Sequence, residues 1–241
     1  MAATALLTGC ACALAQAVAV DDSASAVAAP VLPALPAPVV VPLNEKRIAG
    51  VLPDYQTVRD SHRAIAPLTP REKWNLAWRE IEDPVNNASA VFTSAFAQMD
   101  NQTPRYGEGW AAYGKRAGAA LADFDSQNIF SAGLFACVLH QDPRYFRMGP
   151  ESGILRRIAY SVSRLGIARQ DSGKSAFNAS NIFGIILGIA ASNAYYPASS
   201  RNGDVMVGRL GTSLMGGVVG NLMSEFWPDV QKKLFRKNKT D

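Results

Sequence analysis

The sequence predicts an all-α protein, a helical bundle whose helices touch through small residues, preceded by an extended proline-rich segment. Three observations predict it. A capping box opens an amphipathic run at Thr69. Long uncharged stretches end at Asp-Pro or Pro steps that stop helices. Gly208, Thr212, Gly216, Gly220 and Ser224 recur every four residues, which stacks small side chains on one helix face like a glycine zipper.

The chain has 241 residues and a formal net charge of +4. Residues 2–15 form an apolar run, and Ala13-Leu14-Ala15 and Ala15-Gln16-Ala17 both fit the small-x-small cleavage rule. A signal peptide over 1–17 is expected, and with it an exported protein of the periplasm or of the membrane-associated cell envelope. Leu7-Thr8-Gly9-Cys10 offers the alternative of a truncated lipoprotein leader with Cys10 as the lipidation site. Cleavage ranks first, because the residues before Cys10 are too few for a hydrophobic segment. The mature chain then keeps Cys137, which sits in the apolar run 130–139 and reads as a small buried hydrophobe.

Residues 18–45 form an Ala/Pro-rich linker, with Pro30, Pro33, Pro36, Pro38 and Pro42 imposing extended backbone. The helical domain is expected over 46–230, opening with an extended arm at 46–55. The first helix starts after Thr69-Pro70-Arg71-Glu72 and places Trp74 and Trp78 together on its apolar side. Asp83-Pro84 starts the second, which runs to Met99. A helical pattern from 106 to 140 breaks in two at Asp123 and Asp125, and another helix covers 152–167. The stretch between Lys174 and Arg201 carries no charge and contains an apolar helix ended by Pro197.

The last helix is expected from an N-cap at Asp204 to about Phe226, stopped by Pro228. Each glycine inside a helix costs about 1 kcal/mol against alanine, so this helix needs a partner. Gly184, Gly188 and Ser192 form a matching strip. The two strips are expected to pack together, or one of them on a copy of itself. Arg209 interrupts the longer candidate span and the uncharged one is short, so a membrane surface or self-association is the expected partner rather than a clear transmembrane helix. The tail 231–241 is basic through Lys232, Lys233, Arg236, Lys237 and Lys239, a weak signal for anionic lipid. The modest net charge does not argue for nucleic acid.

No catalytic constellation, cofactor motif or metal-ligand spacing is legible. The densest polar and aromatic cluster is His140, Asp142, Arg144 and Tyr145. It reads either as a small-ligand site or as a helix terminus followed by an Asp-Pro stop, and the second reading is preferred. His62, the other histidine, falls in a loop, which is too few ligands for zinc. Asp171-Ser172-Gly173-Lys174-Ser175 looks like the end of a phosphate loop. It lacks the earlier glycine, and a helix is expected before it, so it is rejected.

Residues 46–55, His140-Gln141-Asp142-Pro143-Arg144-Tyr145, Ser192-Asn193-Ala194-Tyr195-Tyr196-Pro197 and Glu225-Phe226-Trp227-Pro228-Asp229 resemble signature stretches of a family of uncharacterised exported proteins from Acidobacteria. The resemblance implies a compartment and transfers no catalytic residue. The expected function is a structural or membrane-associated role in the cell envelope. The alternative is a soluble periplasmic binding module with a ligand at the His140–Tyr145 cluster. An enzyme ranks third.

Overall fold

Helix dominates the fold, as the periodicities require. The computed structural model describes residues 55–59, 65–99, 101 and 103–237, with side chains described up to 233. The leader with Cys10, the linker 18–45, most of the arm 46–55 and His62 lie outside the described residues. Helix α1 spans Pro70–Glu82 and starts where the capping box places it: the Glu72 N–H donates to Thr69 Oγ1 at 3.3 Å and the Thr69 N–H to Glu72 Oε2 at 2.8 Å. Helix α2 covers Pro84–Met99. Helix α3, Trp110–Asn128, runs without a break at Asp123 or Asp125 into a π-helical segment, Ile129–Phe135, and a last turn α4, Ala136–Val138. The expected division of this stretch is therefore displaced. Backbone pairing is unbroken past both aspartates, and Asp123 turns its carboxylate to Tyr195 and Tyr196 in the loop after residue 192 and to Arg209 on the last helix.

Two small strand patches modify the all-helical expectation. Strand β1 (Thr57–Val58), just past the arm, pairs in parallel with β3 (Tyr145–Phe146). Strands β2 (Gln141–Asp142), β4 (Ile167–Gln170) and β5 (Ser175–Phe177) form an antiparallel sheet in the order β2-β4-β5. Helix α5 is accordingly shorter than expected, Ile154–Ser163. The rejected phosphate loop is a hairpin turn, with Gly173 at φ +83. The segment before it is a strand, not a helix, yet another strand follows it, so no helix N-terminus is there to receive a phosphate.

Helix α6 spans Ala179–Ser192 after an Asn178 cap, and α7 runs from Gly203 to Lys237. Its N-cap is Asn202, whose Oδ1 accepts from the Val205 N–H at 3.0 Å, rather than Asp204. It also continues through Pro228 into the basic tail. Proline disturbs the helical bonding of the turn before it. In that turn the Glu225 carbonyl accepts from Arg147 Nε and Arg157 Nη2, each at 2.7 Å, which holds the backbone where the helix alone would not.

The two glycine strips do not meet. A Cβ added to Gly184 would lie 2.5 Å from the Ser131 backbone, and one on Gly188 3.2 Å from Gln127 Cα. Helix α6 therefore uses its glycines against α3 and the π-helical segment. On α7, a Cβ at Gly208, Gly211, Gly216 or Gly220 would meet nothing within 4 Å. The expected pairing of strip on strip is replaced by one occupied strip and one open one.

The packing is also inverted relative to the sequence pattern. Helix α1 buries Lys73, Leu76, Ala77 and Glu80, while Trp74 and Trp78 stay largely exposed. Lys73 is sealed by Asp171, with Nζ at 2.7 Å from Oδ2, and by the Ala136 carbonyl at 3.1 Å. Cys137 is half-buried rather than buried. Among the described residues no helix is long and apolar enough to cross a membrane.

Candidate functional site: a cleft under the last helix

Two polar anchors pin α7 to the body. At its start, Arg209 Nη2 lies 3.3 Å from Asp123 Oδ1, and its guanidinium carbon sits 3.9 Å from the centre of the Tyr196 ring. The hydroxyls of Tyr195 and Tyr196 donate to the same aspartate at 2.6 and 2.5 Å. Burial first, and the Asp123 charge after it, push both phenols well above the ordinary tyrosine range, so they stay donors.

The second anchor is Glu225, fully buried on α7. Its carboxylate accepts from Tyr145 Oη (3.0 Å), the Met148 and Gly149 N–H groups (3.0 and 3.1 Å) and Arg157 Nε (2.8 Å). Asp229, one turn on, receives Arg147 at 2.5 Å and Arg157 at 2.7 Å. The Arg157 guanidinium also lies 4.3 Å from the Phe226 ring centre. Such a carboxylate is held by charge-assisted bonds that leave few lone pairs idle.

Between the anchors, sixteen residues or about 24 Å apart at 1.5 Å per residue, α7 spans a cleft of about 1250 Å³. That exceeds the usual ~300–1,000 Å³ of small-molecule sites. Gly208, Thr212, Gly216 and Gly220 all stand on its wall. The open strip of α7 thus faces space, which is why no neighbouring atom approaches it.

The cleft wall includes Asp142, Arg144 and Tyr145 but not His140. Asp142 and Arg144 close on each other, with Nη2 to Oδ2 at 2.6 Å and Nε to Oδ1 at 3.0 Å, and Arg144 Nη2 also reaches the Ala66 carbonyl at 2.9 Å. Tyr145 is committed to Ser161 and Glu225. The His140 side chain is exposed on a left-handed backbone (φ +52) that ends α4, and its Nδ1 lies 3.8 Å from Asp171. The structure thus brings together Asp142 and Arg144 and separates them from His140. Among the described residues no His/Cys/Asp/Glu cluster could hold a metal.

Residues that pattern reading passed over supply the chemistry of the cleft. Glu80 lies on its wall, 7% exposed, and its carboxyl has no hydrogen-bond partner among the described residues. Burial pushes it up to about 8, so it is uncharged at neutral pH. Arg164 and Arg169 stand on the same wall. A usable signal existed in the chain: between residues 141 and 170 six arginines face only Asp142 and Glu151. Compared with known proteins, the chain matches no family model, no curated protein and no solved structure.

Proposed function

We propose that this chain is an exported cell-envelope protein that seats an apolar face on a lipid surface, with a structural rather than catalytic role. The observation that carries it is the inversion of α5. Arg157 and Ser161 are buried, whereas Ile154, Leu155, Ile158 and Val162 face outward, with Leu155 83% exposed. A helix in water turns its apolar stripe to the core. An apolar face on the outside suits the interfacial position of a surface-bound helix. Ile167 of β4 and Phe177 of β5, partners across the strand pair, are exposed as well. Exposed apolar area on this scale marks an interaction surface, and a net charge of +4 favours an anionic one.

Close packing through small residues belongs to the same proposal, since it lets a thin helical layer hold together without a large apolar interior. The second reading, a soluble periplasmic module with a ligand at His140, Asp142, Arg144 and Tyr145, has less support. Three of those side chains are saturated within the fold and the fourth is exposed on its own.

The test is flotation with vesicles of phosphatidylethanolamine and phosphatidylglycerol. The chain is expected to float with them, and Ile154→Glu with Leu155→Glu to release it at least tenfold at unchanged helicity. A chain that stays at the bottom of the gradient sinks the proposal. Concentration-dependent dimerisation abolished by the same substitutions would assign the face to a second copy instead.

A further inference from the structure

The charged side chains on the cleft wall do not balance. Arg144 is matched by Asp142 and Arg209 by Asp123. Arg116, Arg164 and Arg169 also line the cleft and meet no carboxylate among the described residues. Glu80, the remaining acid on the wall, is kept protonated by burial. The cleft therefore carries unmatched positive charge and no unmatched negative charge. Arg164 Nε and Trp227 Nε1 on the wall are buried donors without an acceptor among the described residues, and a neutral Glu80 also donates.

The charges of Arg164 and Arg169 both act on the Tyr160 hydroxyl. The Arg164 guanidinium lies 5.0 Å from the Tyr160 ring centre and that of Arg169 lies 4.6 Å from the Phe146 ring centre. The two aromatic residues are joined by the Tyr160 hydroxyl, which donates to the Phe146 carbonyl at 2.7 Å. Stacking holds the flat face of a guanidinium and leaves its N–H edge for a planar or tetrahedral anion. The wall also carries the apolar side chains Phe96, Phe124, Ile185 and Val219 among uncharged polar ones such as Thr93 and Gln127, and the bare backbone of α7 at Gly216 keeps it wide.

We propose that this cleft binds a single-chain anionic amphiphile, with its carboxylate or phosphate head on Arg164 and Arg169 and its tail along the wall formed by α7. The inference goes beyond the lipid-surface reading and needs no bilayer. It explains the α7 glycines, which keep a path open instead of admitting another helix.

The experiment is titration calorimetry on the full chain, without vesicles and below micelle-forming concentrations. The probes are laurate, dodecyl phosphate, dodecyltrimethylammonium, dodecanol and inorganic phosphate. One laurate or dodecyl phosphate per chain is expected, at least tenfold tighter than the cation. Arg164→Gln with Arg169→Gln should weaken both anions at least tenfold and leave dodecanol unchanged. Gly216→Leu, which places bulk where no atom lies within 4 Å, should weaken every long-chain probe. Equal affinity for anion and cation, no binding, or an anion affinity untouched by the double substitution overturns the proposal. So does inorganic phosphate binding as tightly as dodecyl phosphate, which would mark a head-only site. Many sites indifferent to Gly216→Leu would mark adsorption on the exposed apolar face and overturn it as well. Vesicle flotation can succeed or fail independently, so the two readings fail separately.

Discussion

Helices α6 and α7 carry the same four-residue spacing of glycines and are held in opposite ways. Helix α6 has no titratable side chain and approaches Ser131 and Gln127 so closely that its glycines are obligatory. Helix α7 touches the body through charge at Arg209, Glu225 and Asp229, and most of its glycines touch nothing. Identical spacing therefore has no fixed meaning. A small residue permits close approach, and only the surroundings decide whether another backbone or open space takes the place of a side chain.

The largest expected effect lies on the charge side of that contrast. Glu225→Ala strips Arg157 of a buried counter-charge, and Tyr145, Met148 and Gly149 of their acceptor, and should cost about 3–5 kcal/mol, the range for breaking a buried pair from one side. Denaturant unfolding measures it, and a loss under 1 kcal/mol would show that α7 is not held by this anchor. Next comes Gly184→Ala. Alanine favours a helix, yet its methyl would sit against the Ser131 backbone, so a net loss of about 1–3 kcal/mol is expected. A gain in stability at this position would break the comparison.

Acid should separate the two helices more gently. Burial alone would raise the Asp229 carboxyl, but hydrogen bonds and charge from Arg147 and Arg157 more than reverse this and hold it below the usual aspartate range. An acid whose native value is depressed stabilises the fold above its unfolded value, and that contribution fades as pH falls through the native one. Amide exchange around Glu225 to Asp229 should thus quicken in acid before that of α6 does, and simultaneous loosening would contradict it. The smallest effect is Gly208→Ala on α7. With no atom within 4 Å of the new methyl, helix preference alone acts, and thermal melts should show a gain of up to about 1 kcal/mol.

Local signals were legible and their partners were not. Thr69 and Glu72 disclosed the start of α1 because a capping box acts within one turn. The α6 glycines disclosed a close approach because their spacing is itself the contact surface, but nothing in them names Ser131. Strands of two to four residues are too short to show alternation, so β2 to β5 passed as helix ends and loop. The π-helical stretch has no sequence mark. The outward tryptophans of α1 and the outward Ile154 and Leu155 of α5 contradict the assumption that apolar stripes turn inward. Lys73 and Arg157 fill those inner positions because each finds carboxylates there. The cleft was missed for a related reason: His140 and Asp142 drew attention as familiar chemistry, while Glu80 looked like one more surface charge on a helix.

The Glu225 anchor has a consequence for the order in which the chain is made. Arg147 and Arg157 leave the ribosome before the residues that neutralise them. Until residues 225–229 emerge, the carboxylates that Arg157 meets and one partner of the Tyr145 hydroxyl are missing. A chain cut short before Glu225 would lose both carboxylates that Arg157 meets, whereas one cut after 233 keeps every described contact of the anchor. Residues 225–229 thus act as the keystone of these buried contacts.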